Sequence, residues 1–287
     1  MKNIAFVVLF LLLLSPLELS AQCSDAGACS IGGSMHEQES DAAKHSLTLR
    51  YGYGQSGKTD ELRFHALQLE ADIQILTHSS LGVRLPWTKV EGPRGSASGI
   101  GDLLLIWDQQ LWTADDIALH AQGGVKLATG EDNAEALPQS YQPGLGTNDL
   151  LFGLSLAYSR WHVAAAYQYS PGRSANAITR LRRGDDIMLR GGYATDISDM
   201  HVGIELLAVK RLSLSSVLDA TAEGGEIFLD VPGSDQFQLN LAAQASLPLS
   251  DVLSVLAHTA VPLLKREVNV DGLTRALTVS AGLRMHF

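Results

Sequence analysis

The sequence is short of cysteine, of aromatic side chains and of positive charge. Only two cysteines, Cys23 and Cys29, occur in 287 residues, both near the start. A disulfide framework through the body is therefore excluded. In an oxidising compartment the pair is a candidate for one small disulfide loop, with metal binding beside His36 and His45 as the alternative. Lysine and arginine total 21 against 31 aspartates and glutamates, a formal net charge of −10, which argues against nucleic acid as a partner. Hydrophobic residues make up 46% of the chain, yet beyond the first segment they never run on for the roughly 20 positions a membrane-crossing helix needs. Catalytic motifs are missing too. There is no Gly-x-Ser-x-Gly elbow, no His-Glu-x-x-His, no phosphate loop and no cysteine–histidine zinc signature. Gly99-Ile100-Gly101-Asp102 lacks the third glycine of a dinucleotide fingerprint. The expectation is a protein that is not an enzyme and needs neither cofactor nor metal.

What is present begins with a targeting segment. Lys2 supplies a positive start, Ile4 to Leu14 an apolar run too short to span a bilayer, and Pro16 ends it. Ser20-Ala21 ahead of Gln22 reads as a cleavage site, so residues 1–21 are expected to be a signal peptide. A lipoprotein signal is the competitor, because Cys23 is near the cut, but Gln22 is not the small residue such a signal requires.

The body alternates apolar and polar residues at period two. Leu67, Leu69, Ala71, Ile73 and Ile75 oppose Gln68, Glu70, Asp72 and Gln74. Trp161, Val163, Ala165, Tyr167 and Tyr169 oppose His162, Gln168 and Ser170 on their strand. Phe237, Leu239, Leu241, Ala243, Ala245 and Leu247 repeat the pattern. Segments of this length suit tilted membrane-crossing strands of roughly 9–11 residues better than soluble strands. About twelve are predicted: 46–54, 64–76, 79–90, 99–112, 117–128, 148–160, 162–170, 186–196, 199–210, 236–248, 252–264 and 275–287. The intervening segments are alternately tiny and long, with long ones at 55–63, 91–98, 129–147, 171–185, 211–235 and 265–274. Short periplasmic turns and long external loops give an outer-membrane barrel this rhythm. The fold expected is all-β, a transmembrane antiparallel up-and-down β-barrel over 46–287 with both ends periplasmic. The last strand alternates and closes on Phe287, the kind of terminal signal that the barrel-assembly machinery reads. Outer-membrane lipid and that machinery are thus expected partners.

If the apolar faces meet lipid, the opposite faces point inward. Parity places Arg50, Glu70, Asp72, Arg84, Asp102, Asp108, His120, Lys126, His162, Arg190, Glu205 and Arg284 there, with His201 and His286. Arg or Lys facing lipid at mid-membrane would cost about 2–4 kcal/mol each. These groups either pair across a narrow lumen and stiffen the wall or line a conduit for a small-molecule solute. Residues 22–45 form a periplasmic N-terminal segment long enough to enter the lumen as a plug; a periplasmic tail is the alternative.

Between Ser98 and Tyr158 a pattern of motifs stands out. Gly99-Ile100-Gly101-Asp102-Leu103 opens a strand and Gly124 to Gly130 closes the next. Gly144-Leu145-Gly146-Thr147-Asn148-Asp149 then leads into Phe152 to Ser159. This resembles the outer-membrane family named after the MetA pathway of phenol degradation. Ala128 stands where that family has proline, and the Gly146-Thr147-Asn148-Asp149 return is shortened. The resemblance implies a channel or transporter for small, hydrophobic or aromatic molecules. A non-conducting barrel acting through its external loops is the rival reading.

Overall fold

The computed structural model describes residues 30–32, 45–56, 61–223 and 225–287. The proposed signal peptide and both Cys23 and Cys29 lie outside the described residues, as does all of the 22–44 segment except Ser30, Ile31 and Gly32.

Among the described residues the alternation in the sequence becomes fifteen strands. They are β1 (His45–Gln55), β2 (Arg63–Leu76), β3 (Ser79–Gly92), β4 (Gly95–Ile100), β5 (Leu103–Ala114), β6 (Ile117–Leu127), β7 (Asp149–Tyr158) and β8 (Trp161–Tyr169). They continue with β9 (Asp186–Ile197), β10 (Met200–Arg211), β11 (Ser216–Leu218), β12 (Phe228–Asp230), β13 (Phe237–Ser250), β14 (Leu253–Leu264) and β15 (Leu277–His286). Twelve of these close a barrel in which each strand pairs antiparallel with its neighbour. β1 closes it against β15, with Leu47 opposite Met285 and Tyr53 opposite Val279. Closure leaves no wall strand with a free edge, which a lipid-facing sheet requires.

The outward positions are apolar and exposed: Leu49, Leu69, Phe152, Leu154, Leu189, Leu206 and Leu283 all stand free of protein cover. In water so large an apolar surface would aggregate; against acyl chains it is the low-energy arrangement. The closed wall and its apolar outer band make this a bacterial outer-membrane barrel. Two-residue turns at Thr77-His78, Asp115-Asp116, Ser159-Arg160, Ser198-Asp199 and Asp251-Val252 mark the periplasmic end.

Three features depart from the sequence expectation. Residues 91–98 are not a loop: β3 runs on to Gly92 and pairs with β4 through a two-residue turn at Pro93-Arg94. The single strand expected over 99–112 is broken at Gly101-Asp102, where the register with β3 slips from Arg84 opposite Leu104 to Trp87 opposite Ile100. Pro86, at the break, has no N–H to give to the ladder, and the Gly101 N–H reaches its carbonyl at 2.8 Å instead. The long segment after β10 folds part of itself into the small β11–β12 ribbon.

Candidate functional site

The barrel interior and its external mouth carry the side chains of interest, arranged in three tiers. Toward the periplasm and on the β1–β3 wall the groups are ionic. Arg50 pairs with Glu70 at 3.0 Å, and Arg84 reaches Glu70 at 3.6 Å and Asp72 at 2.8 Å. Arg284 donates to the Thr48 hydroxyl at 3.2 Å. On β8–β10, Glu205 lies 3.4 Å from His162 and 3.7 Å from Arg190. On β5–β6, Asp108 accepts from Gln122 and meets His120, each at 2.6 Å. Nine of the twelve residues singled out by parity thus fall into three clusters of mixed charge, and Arg284 reaches the Thr48 hydroxyl.

The other two, Asp102 and Lys126, belong to a different assembly at the external end. Lys126 meets Asp149 at 2.5 Å, and Arg183 lies 3.6 Å from the same carboxylate. Arg183 also pairs with Asp186 at 2.7 Å and Asp271 at 3.1 Å. Arg211 bonds Asp186 at 3.0 Å and Asp271 at 2.8 Å. Every one of these side chains is sealed from water. Burial alone would raise the Asp271 carboxyl, but Arg211, Arg183 and Arg266 hold it well below the usual carboxylate range. The cluster ties two external loops, 170–185 through Arg183 and 265–276 through Asp271, to the rims of β6, β7, β9 and β10.

Sequence reasoning did not single out Asp149, Arg183, Asp186, Arg211 or Asp271 as interior groups. Arg183 and Asp271 sit in loops, where period two says nothing about direction. Asp186 and Arg211 are terminal strand residues directly opposite each other, a cross-strand acid–base pair at the mouth that register could have exposed.

Between the ionic tiers lies an apolar layer. Leu104 and Ile106 of β5, Leu151 of β7, Ala166 of β8, Met188 of β9 and Leu207 and Val209 of β10 pack together on the inner face. The inner face is therefore not polar throughout. Strands such as Leu103-Leu104-Leu105-Ile106 are apolar on both faces, so they satisfy lipid and core at once. Leu145 and Leu273 reach into this layer from the external loops. Ile31 joins it from the N-terminal segment and is wholly buried. The neighbouring Gly32 N–H donates to the Gln122 side chain at 2.9 Å. A Cβ on Gly153 would stand 2.3 Å from Ile31 Cγ2, so glycine on the inner face of β7 makes the room for it.

The glycine-rich motif forms the hinge of the 128–148 loop. At the break between β4 and β5, Asp102 points inward and accepts the Leu145 N–H at 2.8 Å and the Gly130 N–H at 3.2 Å. Three chain segments cross at this carboxylate. A Cβ on Gly144 would lie 2.8 Å from Asp102 Oδ1 and 2.9 Å from Gly130. Small residues are needed there because backbone passes against backbone. Asp102 thereby fixes the stretch that delivers Leu145 to the apolar layer.

The fold has known counterparts. The chain is similar to the COG4313 outer membrane channel from Pseudomonas putida F1, with a TM-score of 0.58 and 15% identity over 85% of this chain and 96% of that one. It is also similar to the NanC porin, at a TM-score of 0.50 and 9% identity over 84% of this chain and 98% of that one. No family model matches the sequence, and no curated protein matches it.

Proposed function

We propose that this barrel is a gated outer-membrane channel for small, predominantly apolar or aromatic molecules. The observation that carries the reading is the apolar layer across the interior. A pore for ions or sugars gains from polar lining throughout, whereas Leu104, Ile106, Leu151, Met188 and Leu207 offer a solute contact without hydrogen-bonding groups. The ionic tiers above and below then serve as entry filters, with their charges already satisfied. The channel and porin folds found among the structural neighbours support the general reading. The glycine–aspartate motif supports kinship with the family of the MetA pathway of phenol degradation.

In this proposal the N-terminal segment is the plug. Burying one isoleucine contributes roughly 1.5–3 kcal/mol, and one hydrogen bond such as that of Gly32 adds about 0.5–1.5 kcal/mol. Contacts of that size hold a segment in place and still let it leave at a measurable frequency.

Purified protein in planar bilayers and liposomes tests this. Deleting residues 22–44 is expected to raise single-channel conductance and to speed entry of an uncharged aromatic solute. Met188→Gln is expected to slow that entry while leaving ion conductance of the deletion variant in place. The buried interior also favours a non-conducting barrel that works through its external loops. Absence of conductance from both the full chain and the deletion variant would establish that second reading and defeat the first.

A further inference from the structure

The outward wall of β1, β2 and β3 gathers its charged groups on two successive rungs at its external end. Pairing across the three strands sets the rungs. Leu49, Leu69 and Leu85 share one rung, and Tyr51, Leu67 and Trp87 the next. Tyr53, His65 and Lys89 follow, and Gln55, Arg63 and Glu91 come last. Below the Tyr53 rung the outward residues of β2 are Leu67, Leu69, Ala71, Ile73 and Ile75. At roughly 3.3 Å per residue and a tilt near 40° they cover about 20 Å of height, and about 25 Å with half a rung at each end, the height of an outer-membrane apolar band. The His65–Lys89 rung therefore stands at the external boundary between acyl chains and headgroups.

At that boundary the groups form a built surface. The Tyr51 hydroxyl and His65 Nδ1 are 2.7 Å apart, and the Tyr53 ring packs on His65 with centroids 5.3 Å apart. Lys89 meets Glu91 at 2.6 Å, and Glu91 lies 4.0 Å from His65. Arg63 sits opposite Glu91 and is exposed. One carboxylate thus serves Arg63, Lys89 and His65, and the patch keeps an excess of positive charge and donors. Trp87, Leu67 and Leu69 stand exposed directly beneath it.

We propose that this patch binds lipopolysaccharide of the outer leaflet, taking a lipid A phosphate between Arg63 and Lys89 and laying acyl chains along Trp87, Leu67 and Leu69. Charge complementarity selects the occupant. The phosphates of lipid A lie at the acyl boundary, which is where the rung count puts the two cations, and the apolar residues continue downward as acyl chains do. A zwitterionic phospholipid offers its phosphate with a compensating cation and fits the surplus charge less well.

The test is native mass spectrometry of the full chain in detergent with lipopolysaccharide, dephosphorylated lipopolysaccharide or phosphatidylglycerol. The expected result is one phosphorylated lipopolysaccharide held per barrel, with at least ten-fold weaker retention of the other two lipids. The double variant Arg63→Gln/Lys89→Gln is expected to lose that preference, and Lys210→Gln, on another part of the wall, to keep it. Heat-dependent gel mobility of each variant reports that the barrel is intact. Equal retention by wild type and the double variant would overturn the proposal, as would equal retention of the phosphorylated and dephosphorylated forms.

Discussion

Asp271, in the loop between β14 and β15, accepts a hydrogen bond from Arg211 at the end of β10 at 2.8 Å, with both side chains no more than 2% exposed. The contact joins residues far apart in the chain and pins a loop over the external mouth. Arg183 bonds the same carboxylate at 3.1 Å from a second loop. One acid therefore holds two loops at once. Removing one partner of a buried ion pair strands the other, at a cost of about 3–5 kcal/mol. Asp271→Asn is accordingly expected to loosen 265–276 and 170–185 together while the wall stays folded. Limited proteolysis in detergent is the check: cleavage should speed up in both loops, and speeding in only one would show that the loops are held separately.

The same carboxylate sets a pH dependence. Its folded value lies below the ordinary one, so its contribution to stability is complete above the unfolded value, about 3.9, and is lost only as pH falls through the lower folded value. The 265–276 loop should stay closed from neutral pH down to about 4 and release in stronger acid. A fluorophore attached at Val268→Cys would follow this. A transition centred between pH 5 and 7 would contradict the role given to Asp271.

Twelve wall strands, their order and the side of each turn were legible in the sequence because a membrane barrel repeats one rule along its length. Inward charges on strands followed from the same parity: Arg50, Glu70 and Arg84 could be placed by counting. The rule stopped where the strands did. Asp271 and Arg183 are interior groups only because their loops fold inward, and no local pattern encodes that. Met188 and Leu151 were hidden for another reason. On strands apolar on both faces, inside and outside cannot be told apart by hydrophobicity, and the apolar layer went unforeseen. Ile31 is a third case, a short apolar residue in a polar stretch whose burial depends on a gap left by Gly153.

Asp102 offers a direct test of the motif. It is the acceptor for the N–H groups of Gly130 and Leu145, both inside the junction of β4, β5 and the 128–148 loop. Asp102→Ala leaves two donors unpaired, at about 1–3 kcal/mol each. Asp102→Asn keeps one acceptor oxygen and should lose about half as much. Thermal unfolding in detergent gives the ranking, wild type above Asn above Ala. Hydrogen exchange should quicken at Gly130 and Leu145 in the alanine variant and leave β13 and β14 unchanged.

Arg84 and Asp72 test whether the lower ionic tier faces a conducting lumen. Arg84 bonds Asp72 at 2.8 Å and stands 3.6 Å from Glu70, which Arg50 already holds at 3.0 Å. Removing Arg84 leaves Glu70 paired and Asp72 without this partner, so the local charge becomes more negative by one. Removing the charge of Asp72 does the opposite. For an ion passing about 7 Å away in water, one unit charge is worth about 0.6 kcal/mol, roughly a 3-fold change in permeability ratio. In a salt gradient across a planar bilayer, Arg84→Gln should move the reversal potential toward cation preference and Asp72→Asn toward anion preference. The 22–44 deletion supplies the conducting background if the full chain is silent. Shifts of the same sign in both variants would mean that the pair acts on the wall and not on the ion, because only a charge sensed from the lumen reverses its effect when its sign is reversed.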